Sequence, residues 1–246
     1  MVSKSHTKYI QSLQHKKFRD ASGCFFAEGP KVVAELLTSH KFVCTQIFAI
    51  PEWINENPEL IKNLSGTSIE TIADFELEKI SALSTPNQVL AIFEQQQQQG
   101  CNASGKITLA LDTIQDPGNL GTIIRIADWF GIENIICSNG CADSYNPKVV
   151  QSTMGSLARV NIHYTDLFEW LNENKTIPVY AAALEGKNIK TLQHISEAIV
   201  VIGNEAKGVS PEIMESVNQK ITIQKKGMAE SLNAAIATGI ILSHIC

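Results

Sequence analysis

The chain of 246 residues lacks several features that would place it in a specialised class of proteins. No apolar run reaches the ~18 residues of a membrane span, so no membrane association is expected. Residues 1–17 are polar and carry lysines without an apolar block, so no secretory signal is expected either. The six cysteines form no CxxC pair, and no histidine cluster accompanies them. We therefore expect reduced thiols, a cytoplasmic location and no bound metal.

The sequence also lacks the glycine fingerprint GxGxxG, which argues against a doubly wound dinucleotide-binding enzyme. The chain also lacks an excess of basic residues, and its formal net charge is −5. The charge is uneven, however, since residues 1–31 hold six basic and two acidic residues, a local charge of +4. A basic end on an acidic body would direct a polyanion to one surface of the protein. The alternative is that these charges form an ordinary solvent-exposed helix face.

Alternating strands and helices are present in two parts of the chain. Short strands and amphipathic helices predict a small α/β domain at residues 1–94. Residues 95–104 are rich in glutamine and lack periodicity, which is typical of a flexible linker. Residues 105–246 begin with a βαβ unit and predict a mostly parallel sheet with helices on both faces. Ligands of such sheets bind outside the carboxyl ends of the strands.

A first candidate site lies where a strand ending at Asp112 leads into a predicted helix at 119–130. Gly121 and Arg125 are four residues apart and share one face of this helix. The glycine leaves room for a bulky ligand, and the arginine fork suits a phosphate. An ion pair of Arg125 with Asp128 is the structural alternative.

A second candidate site is Gly203-Asn204-Glu205, which directly follows an apolar strand. This position presents Asn204 and Glu205 at the carboxyl end of the strand. Glycine and asparagine are also ordinary turn residues, so a simple turn is the alternative.

The third stretch follows a strand that ends at Ile223. Small and apolar residues recur at helical spacing from Ala229, which predicts a helix from there to Ile245. Ser231 and Asn233 would then lie in the first turn, beside free backbone amides that suit a ligand. Ser231 as a simple helix cap is the alternative.

Taken together, these stretches resemble the three ordered motifs of the SpoU/TrmH family, RNA ribose 2′-O-methyltransferases of the SPOUT superfamily. The matching residues are Asn119-Leu120-Gly121 with Arg125, Gly203-Asn204-Glu205 with Gly208, and Ser231-Leu232-Asn233. Each motif is weak alone, but all three in order at strand–loop–helix junctions are specific. Residues 9–37 are similar to the family's L30e-like substrate-binding domain, so the resemblance covers nearly the whole chain.

The resemblance implies an L30e-like α/β domain followed by a trefoil-knotted α/β domain, with S-adenosylmethionine as the methyl donor. It implies a homodimer whose active site lies at the subunit interface. The expected substrate is 23S-type ribosomal RNA first and tRNA second. Leu184, Gly203, Asn204, Ile223 and Leu232 are expected to bind the cofactor.

The resemblance also assigns roles at the expected active site. It assigns removal of the hydroxyl proton to Arg125, but a guanidinium is protonated at any ordinary pH. We therefore expect Arg125 to bind the phosphate beside the target ribose and to stabilise the developing oxyanion. Asn119, Ser231 and Asn233 orient the ribose or hold Arg125, and Glu205 accepts the proton or orients a neighbour. The basic N-terminus is expected to bind RNA through Lys4, Lys8, Lys16, Lys17 and Arg19. Within it, residues 16–19 are expected to form a basic turn with one aromatic side chain.

One departure from the family motivates an alternative function. Gln224-Lys225 stands where family members usually have Pro-Met. The alternative is a catalytically weak or inactive RNA-binding or ribosome-assembly protein that keeps the fold. Binding of S-adenosylmethionine distinguishes the two hypotheses.

Overall fold

The computed structural model describes residues 2–97, 100–192 and 194–246. Gln98 and Gln99 of the predicted linker lie outside the described residues. The chain forms two compact units, Met1–Gln97 with Asp143–Arg159 and Gln98–Ala142 with Val160–Cys246. The predicted boundaries at residues 94 and 105 stay a prediction, and the structure groups residues 143–159 with the N-terminal part of the chain.

Helices and strands alternate along the chain. The first ten elements are α1 (Lys4–Ser12), α2 (Lys16–Ser22), β1 (Cys24–Glu28), α3 (Pro30–Ser39), β2 (Cys44–Ala49), α4 (Pro51–Glu56), α5 (Pro58–Lys62), β3 (Ser68–Thr71), α6 (Asp74–Ile80) and β4 (Val89–Glu94). The remaining ones are β5 (Ile107–Asp112), α7 (Pro117–Trp129), β6 (Asn134–Ser138), α8 (Pro147–Ser152), β7 (Asn161–Thr165), α9 (Leu167–Glu173), β8 (Val179–Asn188), β9 (Ala198–Gly203), α10 (Pro211–Glu215), β10 (Gln219–Thr222) and α11 (Ala234–Ile245). Two short 3₁₀ turns are Ser156–Ala158 and Ile189–Thr191.

The first unit is built on a mixed four-stranded sheet in the order β1-β4-β2-β3. β4 pairs antiparallel with β1 and β2, and β2 pairs parallel with β3. α3 begins at Pro30, whose fixed φ suits the first helical position. Val33, Leu36 and Leu37 recur at helical spacing and are buried, which is why α3 lies on the core.

The segment 143–159 is held to the first unit by side-chain contacts along its length. Its Tyr145 ring packs on Phe25, with ring centroids 4.7 Å apart. Near its end, Arg159 forms an ion pair of 2.6 Å with Glu35. These contacts explain why a segment between β6 and β7 groups with the N-terminal residues.

The second unit contains a six-stranded sheet in the order β10-β8-β9-β5-β6-β7. Every neighbouring pair is parallel. β5 lies inside the sheet and all six of its residues are buried, as expected for a strand covered on both faces. The predicted α/β class with a mostly parallel second sheet is therefore confirmed.

Two local predictions are wrong. The C-terminal helix begins at Ala234 instead of Ala229, because Asn233 caps it by accepting the N–H groups of Ala235 and Ile236 at 3.0 and 3.2 Å. The basic residues after His15 form helix α2 instead of a turn. Within residues 2–97, 100–192 and 194–246, no helix combines the length and hydrophobicity needed to cross a bilayer.

Candidate functional site

Asn119 joins the three sequence motifs in the second unit. It lies in the first turn of α7, where its Nδ2 donates to Glu205 Oε1 of the loop after β9. Its Oδ1 accepts from Nδ2 of Asn233, the residue that caps α11, at 2.8 Å. We call Asn119, Glu205 and Asn233 the Asn119 network. The structure thus brings together three of the predicted catalytic residues, one from each motif.

The loop after β9 is shaped by Asn204. Its Oδ1 accepts the backbone N–H groups of Ala206 and Lys207, and its Nδ2 donates to the Thr113 carbonyl at 3.0 Å. The backbones of Asn204 and Gly208 also exchange two hydrogen bonds of 3.0 and 2.8 Å. The predicted cofactor residue Asn204 therefore builds the loop, which presents Glu205 to Asn119.

Gly203 is required where this loop closes on itself. A Cβ atom at this position would lie 2.2 Å from the Gly208 carbonyl carbon, which no side chain tolerates. Only glycine permits such close approach of two backbone segments. Gly203 is paired in register with Asp112 of β5, so the loop starts at the carboxyl end of the sheet.

Asp112 and Thr113 support the site and were not singled out by the sequence motifs. Thr113 has φ of +60°, a strained conformation for a β-branched residue, and its N–H donates to Ser138 Oγ at 2.9 Å. Asp112 Oδ2 accepts the N–H of Ser210 at 2.7 Å and so holds the far end of the Asn204 loop. The available signal was a carboxylate at the last residue of the buried strand β5.

The Cys141 thiol forms hydrogen bonds with the backbone on both sides of Thr113. It accepts the N–H of Ile114 at 3.3 Å and donates to the Leu111 carbonyl at 3.2 Å. Hydrogen bonding with Cys137 outweighs burial and lowers the pKa of Cys141 to about 7. The same pairing, together with burial, raises the pKa of Cys137.

Two of the predicted cofactor residues are apolar side chains that are exposed. Leu184 of β8 is 76% exposed, and Leu232 of the loop before α11 is 45% exposed. The Leu184 carbonyl accepts the hydroxyl of Thr222, the residue before Ile223, at 2.9 Å. From Gln224 to Leu232, no backbone N–H donates to a protein acceptor in the described part of the chain. Uncovered apolar groups and unpaired loop amides fit a flat heteroaromatic ligand with polar edges.

Two predicted catalytic residues stand apart from the Asn119 network. Arg125 is exposed in the middle of α7, and its guanidinium has no hydrogen bond or ion pair among the residues that the structure describes. Ser231 is exposed in the loop before α11 and does not cap that helix, because Asn233 does. The catalytic roles of these two residues stay predictions.

The predicted RNA-binding residues divide into exposed and buried ones. Lys4 and Lys8 of α1 and Lys16 and Lys17 of α2 are exposed, and Lys16 pairs with Asp20 at 2.8 Å. Their role in RNA binding stays a prediction.

Arg19 requires a correction, because it is only 1% exposed. Its guanidinium donates to the carbonyls of Leu13 and Gln14 and pairs with Asp143 at 2.6 Å. This geometry gives Arg19 a structural role, and it leaves the predicted RNA-binding set.

Comparison with known proteins identifies matches for both parts of the chain. Residues 106–243 match the model of the SpoU rRNA Methylase family, and residues 4–91 match that of the MRM3-like substrate binding domain. The 23S rRNA (guanosine(2553)-2′-O)-methyltransferase RlmP of Bacillus subtilis is 28% identical over 238 residues. This alignment covers 96% of the chain and 93% of the relative.

Two solved structures are similar over almost their whole length. The AdoMet-bound rRNA methyltransferase from Sinorhizobium meliloti is 30% identical with a TM-score of 0.87, covering 99% of this chain and 95% of the other. A TrmH-family protein from Porphyromonas gingivalis is 34% identical with a TM-score of 0.87, covering 99% and 98%. The likeness therefore includes both the mixed sheet and the parallel sheet.

Proposed function

This chain belongs to the SpoU rRNA methylase family, and we propose that it methylates a ribose 2′-hydroxyl in large-subunit ribosomal RNA. Its activity is S-adenosylmethionine-dependent RNA 2′-O-methylation. The observation that carries the assignment to this site is the Asn119 network, which links one residue from each motif. The similarity to the Bacillus subtilis enzyme supports ribosomal RNA as the substrate.

The cofactor would be held at the carboxyl ends of β8, β9 and β10. Leu184 and Leu232 are uncovered apolar groups that suit the adenine ring, and the unpaired amides between Gln224 and Leu232 suit its polar edge. Gln224, at the start of this loop, accepts a hydrogen bond of 3.2 Å from Asn188, the last residue of β8. When bound, S-adenosylmethionine supplies an electrophilic methyl group on a positively charged sulfur.

Glu205 is the proposed proton acceptor for the ribose hydroxyl. Its Oε1 accepts from Asn119, whereas Oε2 has no partner within the described ranges. A carboxylate fixed through one oxygen and open at the other can orient a hydroxyl and take its proton. Asn119 and Asn233 then act by holding Glu205 in place.

Arg125 is proposed to act across the interface of a homodimer, which explains why it has no partner in one copy. α11 is apolar on nearly all sides, and Ile236 on its surface is 56% exposed. Trp129, at the end of α7, is 85% exposed. Helices that are apolar all round are normally buried, so a second copy is the proposed cover. Arg125 would there bind the phosphate beside the ribose and stabilise the developing oxyanion.

RNA binding is proposed for the exposed lysines of α1 and α2. Lys4, Lys8, Lys16 and Lys17 lie in the part of the chain that matches a substrate binding domain. Lysines that contact phosphates add affinity without sequence specificity, which suits a domain that delivers RNA to a separate site. An RNA substrate and six free cysteines support the expected cytoplasmic location.

Methyl transfer to defined RNAs tests the proposed function. An unmodified large-subunit rRNA transcript and a tRNA mixture are incubated with methyl-labelled S-adenosylmethionine, and the nucleosides are separated. We expect label in a 2′-O-methylnucleoside from the rRNA transcript. Label on bases would refute ribose methylation, and label in tRNA alone would refute the proposed substrate.

The same assay tests Arg125. Arg125→Ala should lower the rate by about 100-fold, the usual loss when an oxyanion-stabilising donor is removed. Lys175→Ala is the matched control, because it removes one exposed positive charge from the same unit. An unchanged rate in Arg125→Ala would contradict the assigned role.

A further inference from the structure

The first unit contains a cavity that the proposed active site does not use. Its volume is about 410 Å³, within the ~300–1,000 Å³ range of small-molecule sites. Its wall joins the N-terminal part of the chain to the segment 143–159 of the same unit. The residues that matter here are Phe26, Glu28, Ala82, Asn146, Lys148 and Gln151.

Glu28 is the buried charged group of this wall, and it is only 5% exposed. Its Oε1 accepts the backbone N–H of Ala82 at 3.0 Å, and its Oε2 accepts the hydroxyl of Ser81. A carboxylate offers about four acceptor positions, so two remain after these bonds. Burial raises the pKa of Glu28, because its charged form is poorly solvated. Further N–H donors would therefore stabilise this carboxylate.

Two amide side chains add donors to the same wall. Asn146 Oδ1 accepts the N–H of Lys148 at 2.9 Å, which leaves its Nδ2 available. In the described part of the chain, neither this Nδ2 nor the amide of Gln151 has a hydrogen-bond partner. Apolar residues such as Phe26 and Val150 complete the wall. Paired acceptors, amide donors and apolar surface are what recognition of a flat, polar-edged base requires.

We propose that this cavity binds one unstacked guanine base of the RNA substrate, with Glu28 accepting from the guanine N1–H and 2-amino groups. Guanine is the only RNA base with two adjacent N–H donors on its Watson–Crick edge, and two carboxylate oxygens match them. Asn146 or Gln151 then donates to guanine O6. The inference rests on the proposed function, because it takes the ligand from the RNA substrate.

The surroundings of the cavity favour RNA over a free metabolite. Its N-terminal wall lies within residues 4–91, which match a substrate binding domain. Exposed Lys148 belongs to the wall, and Gln14 of the wall precedes exposed Lys16 and Lys17 by two and three residues. Positive charges beside an opening for a base suit the phosphates of an RNA strand.

Binding of short RNAs tests the proposal. Three heptamers carry six uridines around a central guanosine, inosine or adenosine, and binding to the full-length protein is followed by fluorescence anisotropy. Inosine keeps N1–H and lacks the 2-amino group, so it isolates one of the two contacts. We expect the guanosine heptamer to bind about tenfold more tightly than the inosine heptamer, and the adenosine heptamer to bind most weakly.

Two variants connect this preference to the cavity. Glu28→Gln can still accept from Ala82 and donate to the Ser81 hydroxyl, but it loses one acceptor, so the preference for guanosine should disappear. Ala82→Trp fills the cavity and keeps the backbone N–H that Glu28 uses. The matched control Glu78→Gln makes the same charge change at an exposed position of α6 and should keep the preference.

The outcomes separate this inference from the proposed function. Equal binding of the three heptamers by the wild type, or no binding at all, overturns the guanine site. A preference that survives in both cavity variants overturns it as well. Methyl transfer to the rRNA transcript is measured on the same wild-type preparation, and its absence contradicts the proposed function whatever the heptamers show.

Discussion

Asn119 uses both ends of its side-chain amide, and this is why three loops distant in sequence converge on one residue. Its donor end binds Glu205 and its acceptor end binds Asn233, which lie 86 and 114 residues away along the chain. An amide is the side chain that can satisfy a carboxylate acceptor and an amide donor together. Replacing the donor end therefore disturbs the proposed proton acceptor, and replacing the acceptor end removes the link to Asn233.

Asn119→Asp tests this arrangement with almost no change in shape. The new carboxylate would face Glu205, and two like charges at hydrogen-bond distance cannot both stay ionised. We expect kcat/KM to fall by about 100-fold, the loss typical of a reacting group displaced by ~1 Å. Asn172→Asp, at an exposed position of α9, is the control and should behave as the wild type. A variant with normal kcat/KM would show that Glu205 does not depend on Asn119.

Cys141 provides a pH-dependent prediction at the residue scale. Its pKa of about 7 lies below the ordinary value of 9.0, so folding favours the thiolate. Alkylation of Cys141 by iodoacetamide, followed by mass spectrometry, should therefore rise with a midpoint near pH 7. Cys44, whose pKa burial raises to about 12, should stay unreactive over the same range.

The same shift also affects stability. Between pH 7 and 9 the Cys141 thiol keeps its proton in the unfolded chain and has lost it in the folded protein. The contribution of Cys141 to the free energy of unfolding therefore increases as pH rises through this window. It is lost as pH falls through 7. A midpoint for Cys141 near pH 9 would contradict both statements.

The segment 143–159 shows how one element depends on a buried charge. Arg19 is 1% exposed and is neutralised by Asp143, whose side chain is 16% exposed. A buried guanidinium that loses its partner is costly, because its charge is then far from both water and a counter-ion. The segment is therefore attached to the first unit by electrostatics as well as by the packing of Tyr145 on Phe25.

Asp143→Asn should lower the free energy of unfolding by about 3 kcal/mol, the lower end for a broken buried pair, since Asp143 keeps some exposure. Urea denaturation followed by circular dichroism measures this difference. Asp20→Asn breaks the exposed pair with Lys16 and should change stability little. Equal effects of the two substitutions would show that the burial of Arg19 does not matter.

At the scale of the whole molecule, periodicity and motif order were enough to predict the α/β class, the parallel sheet and the family. Local patterns and motif order predicted Asn119, Glu205 and Asn233 as site residues, because each belongs to a motif at a strand–loop–helix junction. They could not predict the hydrogen bonds between them, which depend on the fold. They also misassigned Arg19. The local sequence does not show whether a basic residue is exposed like its neighbouring lysines or buried in an ion pair with a distant carboxylate, as Arg19 is with Asp143.

The proposed active site combines the Asn119 network of one copy with Arg125 of another. Co-expression of Arg125→Ala with Glu205→Gln, each nearly inactive alone, tests it most directly by methyl transfer to the rRNA transcript. Random pairing makes half of the dimers mixed, and each mixed dimer has one complete site, so the mixture should recover about one quarter of wild-type activity. A mixture no more active than its two parents would contradict the account.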